Sequence, residues 1–273
     1  MEFSHTVDLV AGLHGRYYIL KNDTFIGRSM SAYGEWTEGE FELFKTVFRP
    51  GDVAIDVGAN IGSMTVPLAR AVGPSGTVYA FEPQPGLFRL LAANTLLNGV
   101  LNTRLFQAAC GSAQASIMVA ELPFDVAENY GALSLDVLAQ ATGPFPRRRV
   151  PLVRLDDVID AGAVRLIKVD VEGMEAQVID GAAAIIRQHR PLLYVENELP
   201  VSSRATIEAI QRLDYRLYWH VSPQFNPNNF KCNRINIFGQ NVCINMFCVP
   251  AESDFSVTGL RQVVSPTEHP RLP

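Results

Sequence analysis

The spacing of apolar residues changes period several times along the chain, and each change marks an element. Arg16 to Leu20 and Thr24 to Gly27 alternate as two strands about a Lys21-Asn22-Asp23 turn, which predicts a hairpin. Positions 36, 41, 44, 47 and 48 are apolar at near-helical spacing, so a helix is expected over Trp36 to Phe48, ended by Pro50-Gly51. From Val53 onward, short solid apolar runs alternate with helical stretches: strand 53–57, helix 63–72, strand 77–81, helix 85–98 stopped by Asn98-Gly99, and strand 103–109. A second set follows, with strand 165–170, helix 175–187, strand 192–196, helix 202–213, and strands 215–221 and 243–249. Solid apolar runs suit strands buried on both faces, and their alternation with helices predicts an α/β fold. The expected form is a doubly wound, mostly parallel, Rossmann-like sheet of seven strands with its ligand at the strands' carboxyl ends.

Two stretches exceed what simple crossovers need. Residues 111–153 are long enough to hold extra strands at Ala115 to Ala120 and Arg149 to Arg154, as a lid or substrate wall. Residues 222–242 interleave Asn226, Asn228, Asn229, Asn233, Asn236 and Asn241 with Phe225, Phe230 and Phe238. Such a loop suits stacking and hydrogen bonding to a polyhydroxyl ligand, which makes Asn228, Asn229 and Phe230 candidate substrate contacts. The competing reading is a surface loop whose asparagines satisfy their own turns. The layout divides as 1–50, an N-terminal hairpin and helix; 51–250, the α/β domain; and 251–273, a C-terminal tail.

Composition narrows the class. With 273 residues and 48% hydrophobic content, one enzyme-sized domain can bury a large core. A net charge of −5, with Arg147-Arg148-Arg149 as the only basic run, argues against a nucleic-acid surface. No apolar run reaches membrane-spanning length, and Met1 to Val10 carries Glu2, His5 and Asp8 where a signal peptide needs basic and then apolar residues; a soluble, cytoplasmic protein is expected. Cys110, Cys232, Cys243 and Cys248 form no metal-binding spacing and are expected as reduced thiols.

The chemistry concentrates at Asp52-Val-Ala-Ile-Asp-Val-Gly58-Ala-Asn60-Ile-Gly62-Ser, where a strand passes into a helix through a glycine turn. Glu82, twenty residues past Gly62 at the end of the next strand, is placed to accept both hydroxyls of a ribose. The turn lacks the Gly-x-Gly-x-x-Gly of pyrophosphate binders, and Asp56 would repel a pyrophosphate. S-adenosylmethionine (SAM), with a sulfonium, an ammonium and a ribose, suits a carboxylate-lined turn. Further along, Lys168-Val-Asp170-Val-Glu172-Gly-Met-Glu175 and Tyr194-Val-Glu196-Asn197-Glu198 end neighbouring strands, so Asp170, Glu196 and Asn197 can converge above the cofactor. Buried carboxylates there demand a partner: Lys168, a backbone nest, the SAM ammonium, substrate hydroxyls or a divalent ion.

Asp56-Val-Gly-Ala-Asn-Ile-Gly62, Phe81-Glu82-Pro83, Asp170-Val-Glu172-Gly-Met-Glu175, Asn226-Pro-Asn-Asn-Phe230, Asn236-Ile-Phe-Gly239 and Cys248-Val-Pro250 together resemble an FkbM-type SAM-dependent methyltransferase over roughly residues 35–250. The resemblance implies the class I methyltransferase fold, sheet order 3-2-1-4-5-7-6, and methyl transfer to a hydroxyl of a small molecule, sugar or natural product. It assigns Glu35, Asp56, Gly58, Asn60, Gly62 and Asp170 to the cofactor, with Glu82 on the ribose and Ala109 at the adenine edge. An alcohol acceptor must lose its proton, and Asp170, Glu172 and His220 are the candidate catalytic residues. Glu196 is a candidate substrate contact. Asp170, Glu196 and Asn197 also resemble the Mg²⁺ ligands of catechol O-methyltransferase-like enzymes, with Mg²⁺ or Ca²⁺ suited to three oxygen ligands. The alternatives are a Rossmann-type NAD-dependent oxidoreductase and a catalytically inert binding domain.

Overall fold

The computed structural model describes residues 6–142 and 145–272, without the side chains of Leu135 and Asp136; the leader residues Glu2 and His5 and the last residue of the tail lie outside the described residues. Strands Val7–Gly12 (β1) and Gly15–Leu20 (β2) pair antiparallel and lead into helices Ile26–Tyr33 (α1) and Glu38–Phe44 (α2), with a 3-10 turn at Lys45–Val47. Val53–Val57 (β3), Thr65–Ala71 (α3), Thr77–Phe81 (β4), Pro85–Leu97 (α4) and Thr103–Phe106 (β5) form the first half of the central unit. An insertion holds Ala109–Cys110 (β6), Ala115–Ala120 (β7), Leu135–Gln140 (α5) and Arg147–Val153 (β8). The second half comprises Leu155–Val158 (α6), Val164–Val169 (β9), Glu175–Gly181 (α7), Ala183–His189 (α8), Leu192–Glu196 (β10), Pro200–Gln211 (α9), Tyr215–Pro223 (β11), Val242–Pro250 (β12) and Arg261–Gln262 (β13).

The large sheet runs β5-β4-β3-β9-β10-β12-β11-β13, parallel from β5 to β10, with β12 antiparallel to both β10 and β11. Numbered by its seven long strands, this is the expected 3-2-1-4-5-7-6. The eighth, β13, is a two-residue edge strand that pairs with Tyr218 and Trp219. The order reverses between β3 and β9, and a doubly wound sheet opens a crevice at the carboxyl ends of the strands on either side of such a reversal.

Three elements differ from the sequence reading, each for a local reason. The hairpin lies one strand earlier, turning at Leu13-His14, because the Asp23 carboxylate accepts from the Phe25 backbone N–H at 2.9 Å and bends the following residues into α1. The strand expected over 103–109 stops at Phe106; Ala109–Cys110 leaves to pair with β8 in a separate three-stranded sheet, β6-β8-β7. The helix expected over 175–187 is broken at Ala182, whose ψ of 7° leaves the helical region.

The two faces of the sheet bury different partners. Ile55 and Val57 of β3, Ile167 and Val169 of β9, Leu193 and Val195 of β10, and Met246 and Cys248 of β12 pack against α7, α8 and α9. Alternate residues, Ala54, Leu166, Leu192, Phe247 and Val249, meet Tyr17, Ile19, Met30, Phe41 and Phe44 of the N-terminal segment. On that second face, the period of two also carries Asp56, Lys168, Tyr194, Glu196 and Asn245, so a row of polar side chains crosses the carboxyl end of the sheet beneath α2. Asp56 stands opposite Lys168, Lys168 opposite Tyr194, and Glu196 opposite Asn245.

Gly58 closes β3 at φ 82°, and a Cβ there would overlap the Asp170 carbonyl oxygen. Gly58→Ala is therefore expected to cost about 3 kcal/mol from backbone strain and overlap together. Urea unfolding should show a lower midpoint at unchanged m-value; a midpoint equal to the native protein's would rule out the tight crossing of β3 and β9.

Candidate active site

A cleft of about 260 Å³ opens at the carboxyl ends of β3, β4, β9 and β10 and the amino end of the antiparallel β12. Its first side is the glycine turn. Gly58 and Ala59 donate their backbone N–H groups to the Phe81 carbonyl, Asp170 donates its N–H to the Val57 carbonyl, and Asn60 lies in the left-handed region at φ 50°. Glu82 is buried in the cleft wall, where Oε2 accepts from the Asn60 N–H at 2.9 Å and Oε1 from the Gln84 N–H at 2.8 Å. Burial is the main reason its pKa is pushed up to about 7, against the pull of those two N–H donors. Each carboxylate oxygen retains a second lone pair for hydroxyl donors. Phe81, Ala108, Ala109, Cys110 and Leu133 form an apolar slot beside it, Leu133 coming from the insertion.

Asp56 and Gly62 do not reach the wall. Asp56 is fully buried behind the turn: Oδ2 accepts from the Thr65 hydroxyl at 2.6 Å, while Oδ1 has no hydrogen bond and stands 4.0 Å from Lys168 Nζ. Gly62 packs against Leu91 of α4, where a Cβ would crowd the leucine side chain. Both support the turn from behind, so their expected cofactor contacts are replaced by a structural role.

Lys168 supplies the only cationic side chain of the cleft wall among the described residues. Its Nζ donates to Asp170 Oδ2 at 2.8 Å. Burial lowers its pKa, but Asp170, Asp56 and Glu40 more than offset this, and the net shift is upward; the ammonium stays charged. Beyond it, Asp170, Glu172 and Glu196 each bring a carboxylate oxygen within 4.8 Å of the others. Burial first, then the neighbouring Asp170, raises Glu196 well above the usual carboxylate range, and the same causes push Glu172 up to about 8. The hydrogen bond of Glu196 to Asp170 adds to that upward shift, since it favours the neutral form of the carboxyl beside its acidic neighbours.

Asn197 is not part of this group. Its Nδ2 points at Met246 Sδ at 3.3 Å, its carbonyl accepts from His269, and it does not line the cleft. His220 also lies outside the wall: Nδ1 bonds the Tyr194 hydroxyl at 2.8 Å, and burial lowers its pKa. The ring braces Tyr194 and is not aimed at an acceptor.

The opposite side of the cleft is built by Phe25, Trp36, Thr37 and Glu40 from the N-terminal segment, by Gln224 just past β11, and by residues 242–245 of β12. The ring of Phe238 stacks on Phe25 at 5.9 Å and meets Trp36 edge-on at 6.1 Å. Apart from Gln224 and Val242, residues of the 222–242 loop do not line the cleft. Glu35 accepts from Asn226 Nδ2 at 2.7 Å and from the Phe230 N–H at 2.8 Å; Asn229 Nδ2 donates to the Asn226 and Asn233 carbonyls; and Phe230 is 45% exposed with its ring against Gly34. Asn228 donates its backbone N–H to Asn226. The expected ligand contacts of Asn228, Asn229 and Phe230, and the cofactor contact of Glu35, are therefore corrected: Asn228 and Asn229 bond within the loop, and Glu35 ties Asn226 and Phe230 to the segment that follows α1. The sequence reading missed Glu40 and Asn245. Glu40 lies four residues before Phe44 on the buried stripe of α2, and an acid inside an apolar stripe is the signal that marks it.

Glu82 and Glu40 sit in the folded chain at about 7 and about 8, above their ordinary 4.5. A raised carboxyl contributes stability below the unfolded-state value and loses it as pH climbs through the folded-state value. Stability is therefore expected to fall between about pH 4.5 and about pH 8, and Glu40→Gln, which cannot ionise, should flatten the decline. Urea unfolding at several pH values checks this; a decline of equal steepness in the variant removes Glu40 as a contributor.

Comparison with known proteins agrees with the architecture. The family described as Methyltransferase FkbM domain matches residues 56–217. The 31-O-demethyl-FK506 methyltransferase FkbM of Streptomyces tacrolimicus is 35% identical over 158 residues, which cover 49% of this chain and 60% of that protein. Methyltransferase 1 of Beauveria bassiana is 29% identical over 149 residues, 49% of this chain and 59% of that protein. The chain thus spans three-fifths or less of the length of these two relatives. A solved SAM-dependent O-methyltransferase from Thermotoga maritima shares the fold, with a TM-score of 0.53 at 15% identity over 92% of this chain and 80% of that one. With more than half of its residues inside the family match, the chain belongs to the FkbM methyltransferase domain family.

Proposed function

We propose that the chain is a SAM-dependent O-methyltransferase acting on a hydroxyl of a small molecule. The observation that carries this reading is the donor set of the cleft: carboxylates on both sides, an apolar slot between them, and one ammonium already engaged by Asp170. That set suits a cation-bearing nucleoside and gives a pyrophosphate nothing to bind, which disfavours the NAD-dependent alternative. Bound there, SAM supplies a methyl carbon activated by the adjacent sulfonium.

The chain's own residues divide the remaining work. Glu82 accepts the two ribose hydroxyls while keeping its bonds to the Asn60 and Gln84 N–H groups. The slot of Phe81, Ala109 and Leu133 takes the adenine, and Gly58 and Asn60 leave room for the methionine portion. Asp170, oriented by Lys168, and Glu172 complement the positive charge. Trp36 and Phe25 exclude water from the acceptor side, where a held hydroxyl gains from fixed orientation. The Streptomyces relative is named for a hydroxyl-bearing natural product, which supports an acceptor of that kind; a sugar hydroxyl fits the same description. Asp170, Glu172 and Glu196 also make a set that would suit a divalent ion, with Glu172 where the sequence suggested Asn197. Burial and the neighbouring carboxyls shift Glu172 and Glu196 upward, toward the neutral form that binds a cation poorly, which favours the metal-free form.

Isothermal titration is expected to show SAM binding and no NAD binding, with Glu82→Ala weakening SAM at least tenfold, about 1.4 kcal/mol. NAD binding in preference to SAM would overturn the cofactor assignment. Incubation with SAM and a panel of 31-O-demethyl-FK506 and methyl glycosides should yield S-adenosylhomocysteine and a methyl ether. That turnover is expected to persist in EDTA; loss in chelator and recovery with Mg²⁺ would instead establish the ion.

A further inference from the structure

The acceptor side of the cleft comes from outside residues 56–217, and at its centre is a carboxyl group that packing alone does not explain. Glu40 is 4% exposed and lines the cleft. Its Oε1 accepts from Asn245 Nδ2 at 3.1 Å, and the Thr37 hydroxyl bonds the same carboxyl. Thr37, a β-branched residue, takes up φ 48° and ψ 40° just before α2, a conformation that costs energy and persists where surrounding structure enforces it. This start turns the third residue of α2 inward, over the polar row that crosses the sheet. A glutamine would accept the same amide bond without the cost of burying an ionisable group.

We propose that Glu40 is the residue that takes the proton from the acceptor hydroxyl, and that it becomes ionised when the sulfonium of SAM enters the cleft. This deepens the methyltransferase reading and rests on it. As the hydroxyl oxygen bonds to the methyl carbon, the carbon–sulfur bond breaks with its electron pair left on sulfur, and the hydroxyl proton passes to the Glu40 carboxylate. The groups facing Glu40 are Lys168 and Asp170 from the β9 end, Tyr194 from β10, Cys243 and Asn245 from β12, and Thr37 from its own segment. Burial outweighs the attraction of Lys168 and holds the carboxyl at about 8, so in the free protein at pH 7 it is protonated. A positive charge arriving beside it favours the ionised form. S-adenosylhomocysteine has the same ammonium and ribose but a neutral sulfur, so comparing the two ligands isolates the sulfonium.

The experiment is titration of SAM and of S-adenosylhomocysteine into the full chain between pH 6 and pH 9, in buffers of different ionisation enthalpy. At pH 7, SAM is expected to release up to one more proton than S-adenosylhomocysteine. Its affinity relative to S-adenosylhomocysteine should rise with pH up to about 8, by at most tenfold per pH step of one, and then level. In Glu40→Gln the extra proton release by SAM and the pH dependence of the affinity ratio should both fall, with Glu172 accounting for what remains. On a panel acceptor that the native protein methylates, the same variant is expected to lose about 100-fold or more in kcat while S-adenosylhomocysteine affinity is unchanged. A pH-independent ratio in the native protein, equal proton release in protein and variant, or native kcat in Glu40→Gln each overturns the role of Glu40 while leaving the cofactor assignment intact. Failure of SAM to bind at all overturns the cofactor assignment itself and this role with it.

Discussion

The ammonium of Lys168 is the interaction on which the carboxyl end of the sheet depends. It is buried at the point where the strand order reverses, 2.8 Å from Asp170 and 4.0 Å from Asp56, with Glu40 above it. Three acidic residues brought together without that cation would each have to be protonated or hydrated, and buried Asp56 and Glu40 have little access to water. With it, the Asp170 carboxyl is oriented at the end of β9 by the Lys168 bond, and the Asp170 backbone approaches Gly58 closely enough to align β3 and β9. Burial, with the neighbouring Asp170 adding to it, raises Glu82, Glu172, Glu40 and Glu196 above their ordinary range.

This arrangement leaves the cleft acidic and poised to receive positive charge. Its two sides are built differently. The cofactor side consists largely of backbone turns and strand ends that the parallel sheet positions directly, so its geometry follows from β3, β4 and β9. The acceptor side is assembled from α1, α2, the end of β11 and the start of β12, brought together by Glu35, Tyr33 and Lys231 clamping the 222–242 loop to the N-terminal helices. Phe25, Trp36 and Phe238 then stack as a single aromatic wall. A cofactor half tied to the sheet and an acceptor half tied to a side chain network can diverge independently, which suits a family whose members meet different acceptors.

The central sheet was legible in the sequence because its strands are solid apolar runs, and no other element buries both faces so completely. Val53–Val57, Thr77–Phe81 and Leu192–Glu196 lie where the pattern places them. The glycine turn and Glu82 were legible too, since positive φ and a buried acid at a strand end each demand particular residue types. The hairpin and the strand after α4 were misplaced because short alternating segments do not state their partner: Asp23 turns one into a helix, and β8 draws Ala109–Cys110 out of the main sheet.

The sequence by itself determined the α/β alternation, the strand order implied by its family motifs, and the carboxylates that end β4, β9 and β10, because local pattern and chain connectivity carry that information. Only the tertiary structure decided which polar residues face the cleft. Asn228, Asn229 and Phe230 read as ligand contacts until Glu35 is seen to hold their loop from the other side, and His220 reads as a base until Tyr194 occupies its ring. Glu40 reads as an ordinary acid on a helix. Its place beside Asn245, 205 positions away in the chain, follows from helix α2 lying across the sheet, a long-range packing choice that no local pattern encodes.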